Sequence, residues 1–128
     1  ADHGCSYFYF LWGRHAELAA KYDEALEAYE KALICDPGAE YIERKIPLLL
    51  LYLDRRNEAI SGLEDFIEQH PRESGSRMLL AKVFIREGKL REAGAQYRKV
   101  HELVPDDSTS LLLLSELYLN QGKQDLAR

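Results

Sequence analysis

The 128 residues hold little of what catalysis, metal binding or membrane insertion requires. There are 2 cysteines, Cys5 and Cys35, too few for a disulfide scaffold and not at metal-ligand spacing. The four histidines, His3, His15, His70 and His101, form no pair of the HExxH kind, and none of the 8 glycines belongs to a phosphate-binding loop. No cofactor or metal is therefore expected. Glu24, Glu27 and Glu30 resemble acid/base pairs in spacing, but charges on an outward helix face are ordinarily just solvated. The chain is expected to be non-catalytic. Basic excess is missing too: a net charge of -5 works against bulk affinity for nucleic acid, which depends on neutralising phosphates. The longest apolar run, "IPLLLLYL" at 46–53, lies between "ERK" and "DRR". It falls far short of the roughly 20 residues of a spanning helix, so no membrane insertion is expected. The opening "ADHGCSYFYF" has neither an initiator Met nor a basic leader, which suggests a processed or excised piece. Nothing in the residues selects a compartment beyond a soluble chain, cytoplasmic or periplasmic.

What is present is ordinary in amount and regular in order. Apolar residues make up 46% and charged residues 30%, a balance that fits one soluble globular domain rather than a disordered chain. Three of the four prolines, Pro37, Pro71 and Pro105, are 34 residues apart, and Ala25, Ala59, Ala93 and Ala127 keep the same interval. A Glu-Ala pair comes twelve residues before each of these prolines, in "DEALEAYEKALICDP", "NEAISGLEDFIEQHP" and "REAGAQYRKVHELVP". Two markers in phase over three units define an internal repeat, and a repeat decides architecture before any single element does.

Within each unit apolar residues recur at helical spacing, as in Ala25, Tyr29, Ala32 and Leu33, or Leu90, Ala93, Tyr97 and Val100. One face of each segment is thus buried. Gly13, Ala25, Ala81 and Ala93 allow two helices to approach closely. The breaks "DPGAE", "HPRES" and "VPDDS" end the second helix of each unit, because the residue before proline avoids the helical region. Ser74 and Ser108 are expected to be N-caps, and "EGK" (87–89) and "QGK" (121–123) tight turns between paired helices. The pattern predicts helices near 6–20, 22–35, 40–53, 56–69, 74–87, 90–103 and 108–121, each about 20 Å long at 1.5 Å per residue. The apolar run at 46–53 becomes the first helix of the second unit, packed between its neighbours. Pro47 should kink that helix or break its first turn, the alternative being a helix that simply begins at Pro47. Cys5 and Cys35 come out at the same end of one hairpin; whether they are bridged is left open.

This period and pattern resemble the tetratricopeptide repeat. Trp12, Gly13, Ala16, Ala25, Tyr29, Ala32 and Pro37 follow the family's alternation of large, small and aromatic residues ending in proline. Leu80, Ala81, Phe84, Ala93, Tyr97, Val100 and Pro105 follow it again, while the second unit departs with Pro47 where a small residue is usual. The resemblance implies an all-α, right-handed superhelical α-hairpin solenoid with three full repeats (6–39, 40–73, 74–107), a partial fourth (108–128) and an N-terminal extension (1–5). It also implies a concave groove lined by the first helices. Carried over position by position, that groove holds Tyr7, Phe10, Leu11, Arg14, Glu17 and Leu18, then Tyr41, Arg44, Lys45, Leu48, Leu51 and Tyr52. Gly75, Met78, Leu79, Lys82, Ile85 and Arg86 follow, then Thr109, Leu112, Leu113, Glu116, Leu119 and Asn120.

The five cations of that set, Arg14, Arg44, Lys45, Lys82 and Arg86, face only the carboxylates of Glu17 and Glu116, reversing the sign of the chain. Family members that grip a peptide's C-terminal carboxylate use Lys and Asn on the first helix, Asn on the third, and Lys and Arg on the fifth. Here those places hold Phe10, Arg14, Lys45, Gly75 and Leu79, so the carboxylate clamp is absent. The expected partner is a protein or peptide with acidic groups and hydrophobic anchors, held in a scaffold that assembles a larger complex. Two other readings stay open: a regulatory or oligomerisation arm of a larger enzyme, and an RNA-binding helical repeat. The apolar stretch "LLLLSELYL" at 111–119 should expose surface at the C-terminal end, to be covered by further repeats or by self-association.

Overall fold

The computed structural model describes residues 2–127, and all regular structure among them is helical. The helices are α1 (His3–Leu18), α2 (Tyr22–Cys35), α3 (Glu40–Glu43), α4 (Lys45–Tyr52), α5 (Arg56–Gln69), α6 (Ser74–Arg86), α7 (Leu90–Leu103) and α8 (Thr109–Ala127). They fall into two compact units, residues 1–62 and 63–128, with the division inside α5.

In the first unit α1 and α2 form a hairpin, and α2 also packs on α3 and α4. Small residues let this happen. Ala16, Ala25 and Ala32 are buried, and Gly13 lies against the face of Tyr29 so closely that a Cβ there would stand 2.5 Å from ring carbon Cε1. Ile42, Leu49, Leu50 and Ala59 complete this core. α1 starts at His3 rather than 6 because the Asp2 carboxylate accepts the Cys5 N–H at 3.0 Å and caps the helix early, taking residues 3–5 out of the expected extension.

Cys5 and Cys35 are joined in a disulfide with a Cα–Cα separation of 5.8 Å. Beside it the Asp2 N–H donates to the Cys35 carbonyl at 2.9 Å, so bond and hydrogen bond together fasten the open end of the hairpin.

The expected helix over 40–53 is broken. α3 ends at Glu43 and α4 begins at Lys45, with Arg44 in a turn between them. Proline has no N–H to give the carbonyl four residues back, here Glu43, and its ring crowds that oxygen, so the break falls where Pro47 would place it. Pro47 then sits in the first turn of α4, where its missing donor costs little, and is buried. Gly62 of α5 lies close by: a Cβ there would stand 4.0 Å from the Pro47 ring, an ordinary contact.

In the second unit α6 pairs with α7, and α7 packs on α8. Leu63, Phe66, Leu80, Ala81, Phe84, Ala93, Tyr97, Val100 and Leu117 are buried here. One cap expectation needs correction. The N-cap of α6 is Glu73, whose carboxylate accepts from Gly75 N and Ser76 N at 3.1 and 2.6 Å, and Ser74 is already helical. A two-carbon acidic side chain reaches both amides and suits the positive end of the helix. At α8 Ser108 stands in the N-cap place as expected, its carbonyl accepting the Leu112 N–H at 3.0 Å; one residue earlier the Asp107 carboxylate accepts the Thr109 N–H at 2.9 Å, and donation from Thr109 holds its pKa below the usual value.

The turns within hairpins share one backbone device. Ala20, Asp54 and Gly88 have φ of 60°, 59° and 77°, and they are spaced at the repeat interval. "EGK" is a turn as expected. "QGK" is not: α8 runs unbroken from Thr109 to Ala127 through Gly122. A left-handed residue is unfavourable unless a following helix packs back and repays it, and among the described residues no helix follows α8.

Replacing Gly13 by Ala should lower stability by about 1–2 kcal/mol despite alanine's better helix propensity, because the Tyr29 ring must move; chemical denaturation measures it. Reducing the Cys5–Cys35 bond, which spans 30 residues, should cost about 3.6 kcal/mol by restoring the freedom of the unfolded chain. A melting curve unchanged by reductant would count against that figure.

Candidate functional site

In the first unit the candidate residues lie on α1, α3 and α4. Tyr7, Phe10 and Arg14 recur three and four apart and so form one stripe of α1. The partly buried Phe10 ring stands 5.9 Å from the Tyr29 ring and 5.0 Å from Tyr41, edge to face at 81°. Tyr7, Arg14, Tyr41, Arg44, Leu48 and Tyr52 are exposed. Tyr52 is also stacked on Tyr22 at 4.6 Å with the rings 11° from parallel. The geometry thus brings Phe10 and Tyr41 together and gives Tyr52 a separate partner.

Beneath this surface lies a polar knot. The Tyr29 hydroxyl donates to Glu17 Oε1 at 2.7 Å, and Lys45 Nζ donates to the same oxygen at 3.4 Å while sitting 5.8 Å from the centre of the Tyr29 ring. Lys45 is therefore matched inside the site and props its floor. Arg44 bonds Glu40 one turn earlier at 3.4 Å, a solvent-exposed pair of small energetic weight. Burial first, then the hydrogen bond and charge of Glu17, push the Tyr29 phenol well above its ordinary value, with Arg14 opposing.

In the second unit Met78, Lys82 and Arg86 are four apart on α6, the two cations exposed and Met78 partly buried. A cavity of about 410 Å³ is lined by Ile85 of α6, Gly88 in the turn that follows, Leu90 and Tyr97 of α7, and Leu113 and Glu116 of α8. Burial, and secondarily Glu116, raises the Tyr97 phenol. Leu112 and Leu119 are two-thirds exposed, at 67% and 66%. Among the described residues no group of three or more His, Cys, Asp or Glu could hold a metal ion. The surfaces offer ring edges, apolar side chains and cations, the chemistry of holding another chain.

Sequence reasoning missed the Tyr22–Tyr52 stack and the Tyr29–Glu17–Lys45 knot. Glu17 and Lys45 are 28 residues apart on different hairpins, so no local spacing announces their contact.

Repeating hairpins with small residues buried at a fixed interval match the family model described as tetratricopeptide repeat, over residues 48–108 and 79–128. The chain belongs to the tetratricopeptide repeat family. No curated protein sequence matches it. Among solved structures, the crystal structure of MamA protein superposes with a TM-score of 0.77 at 19% identity, covering 94% of this chain and 66% of that one. This chain thus spans slightly under two thirds of MamA. The first TPR of Spaghetti (RPAP3), bound to HSP90 peptide SRMEEVD, gives a TM-score of 0.76 at 21% identity, over 100% of this chain and 98% of the other. The Yersinia enterocolitica type III secretion chaperone SycD, in complex with a peptide of the translocator YopD, gives 0.76 at 13% identity, over 88% and 92%. At such identities the likeness establishes the tetratricopeptide fold alone.

In this repeat chain the raised phenol of Tyr29 links the knot to pH. A phenol held neutral by the fold contributes stability that is intact below the ordinary tyrosine value and is lost as the pH climbs toward the raised one. Thermal melts above about pH 10 should therefore decline, and Tyr29→Phe should flatten that decline in part, Tyr97 contributing the rest. A decline of unchanged steepness would remove Tyr29 as a source.

Proposed function

We propose that the chain is a non-catalytic interaction scaffold, which holds a segment of a partner protein on the exposed faces of its first helices and so assembles a larger complex. The observation that carries the reading is the character of those faces. A chain of net charge -5 presents aromatic and aliphatic side chains beside Arg14, Lys82 and Arg86, all exposed. Aromatic burial supplies the energy of such contacts, and charge steers the approach of an acidic segment.

Two similar structures hold peptides, and the HSP90 peptide SRMEEVD is acidic with a methionine among its residues. With Phe10, Arg14, Lys45, Gly75 and Leu79 in the places of the carboxylate clamp, and Lys45 already bonded to Glu17, recognition rests on internal side chains of the ligand rather than on its terminus.

Peptides selected from a random display library should be enriched in Asp or Glu together with large apolar residues. Binding of a selected peptide, followed by calorimetry, should weaken about fivefold or more when Lys82 and Arg86 are changed to Glu, weaken with added salt, and change little when the peptide's C-terminus is amidated. Enrichment of neutral or basic sequences, or affinity indifferent to the charge reversal, would refute the basic face.

A further inference from the structure

α1 carries a second exposed stripe. At about 100° per residue, Phe8 and Trp12 lie well around the helix from Tyr7, Phe10 and Arg14. Phe8 is 58% exposed, whereas the residues 34, 68 and 102 further on, Ile42, Ser76 and Ser110, are all buried. Nothing among the described residues covers Phe8 and Trp12. Between α1 and α2 they form, with Tyr9, Glu24, Glu27 and Lys31, a cavity of about 460 Å³.

The walls of this cavity are aromatic and its polar edge is acidic. The Phe8 ring is 6.4 Å from Trp12 and 5.2 Å from Tyr9. One cation already uses the same chemistry: Lys31 Nζ stands 5.8 Å from the centre of the Tyr9 ring and 3.3 Å from Glu27 Oε1. That pair cancels Glu27. The Glu24 carboxylate, at the same cavity, has no cation paired with it among the described residues. An ammonium or guanidinium entering beside Phe8 and Trp12 would therefore meet ring faces, which attract cations, and an unmatched negative charge.

We infer that the notch formed by Phe8, Trp12 and Glu24 is a second binding site, which takes the cationic side chain of a lysine or arginine in a partner segment. It lies on a different stripe of α1 from the basic face and prefers the opposite charge. Its failure would leave the proposed acidic-peptide site untouched, and the reverse also holds.

Trp12 is the only tryptophan in the sequence, so its fluorescence reports on this notch alone. The probes are a capped Ala-Arg-Ala tripeptide and the same peptide with arginine replaced by neutral, near-isosteric citrulline. The arginine peptide should change Trp12 emission saturably, and the citrulline peptide should not. Glu24→Gln, on an exposed position that leaves the far-ultraviolet circular dichroism unchanged, should weaken the arginine peptide about fivefold, and Lys31→Gln should strengthen it by removing the resident competitor. Equal responses to both peptides would mean a merely apolar patch and overturn the proposal. So would an arginine response insensitive to Glu24→Gln, or no saturable response at all.

Discussion

Tyr29 against Gly13 is the contact on which the first unit depends. Because glycine has no side chain, α1 comes down close onto the ring, and the phenol is carried out of water to where Glu17 accepts its hydrogen bond. From there the contact governs the surface. Phe10 leans on the same ring, Tyr41 meets Phe10 edge-on, and Lys45 lies over the ring while sharing Glu17. One buried aromatic residue thus fixes both the spacing of the hairpin and the floor of a candidate binding face. Burying a hydroxyl without a partner would be costly, which is why the carboxylate matters as much as the glycine.

Pro47 is the second constraint. It divides what would be one helix at Arg44, and the division gives the second hairpin two short segments, with Arg44 held to Glu40 and Lys45 turned toward Glu17. A small residue at that place would permit a continuous helix. The fold tolerates the break because Pro47 itself is buried in a first turn with Gly62 nearby, so the missing hydrogen bond falls among groups that a helix start leaves unpaired in any case.

Much of this was legible beforehand. Proline and alanine at a constant interval imply equal hairpins, and equal hairpins place the small residues at their contacts, so Ala25, Ala59, Ala81 and Ala93 are buried as their spacing requires. The break near Pro47 was legible because it follows from one missing N–H. The cap at Glu73 was not: Ser74 stands next to it, and which neighbour reaches the free amides depends on backbone angles at the junction. The turn expected at Gly122 failed to form for a related reason, since a turn residue permits a reversal but only a packed second helix makes it favourable.

The sequence by itself determined the period, the helices and the family, because those rest on local propensity and on spacing repeated many times along the chain. Tertiary structure alone decided that Cys5 meets Cys35 in a bond, that Lys45 is matched by Glu17, and that Trp12 stands open beside Glu24. These depend on which side chains two separate helices bring within a few ångströms, a matter of packing that residue spacing leaves undetermined.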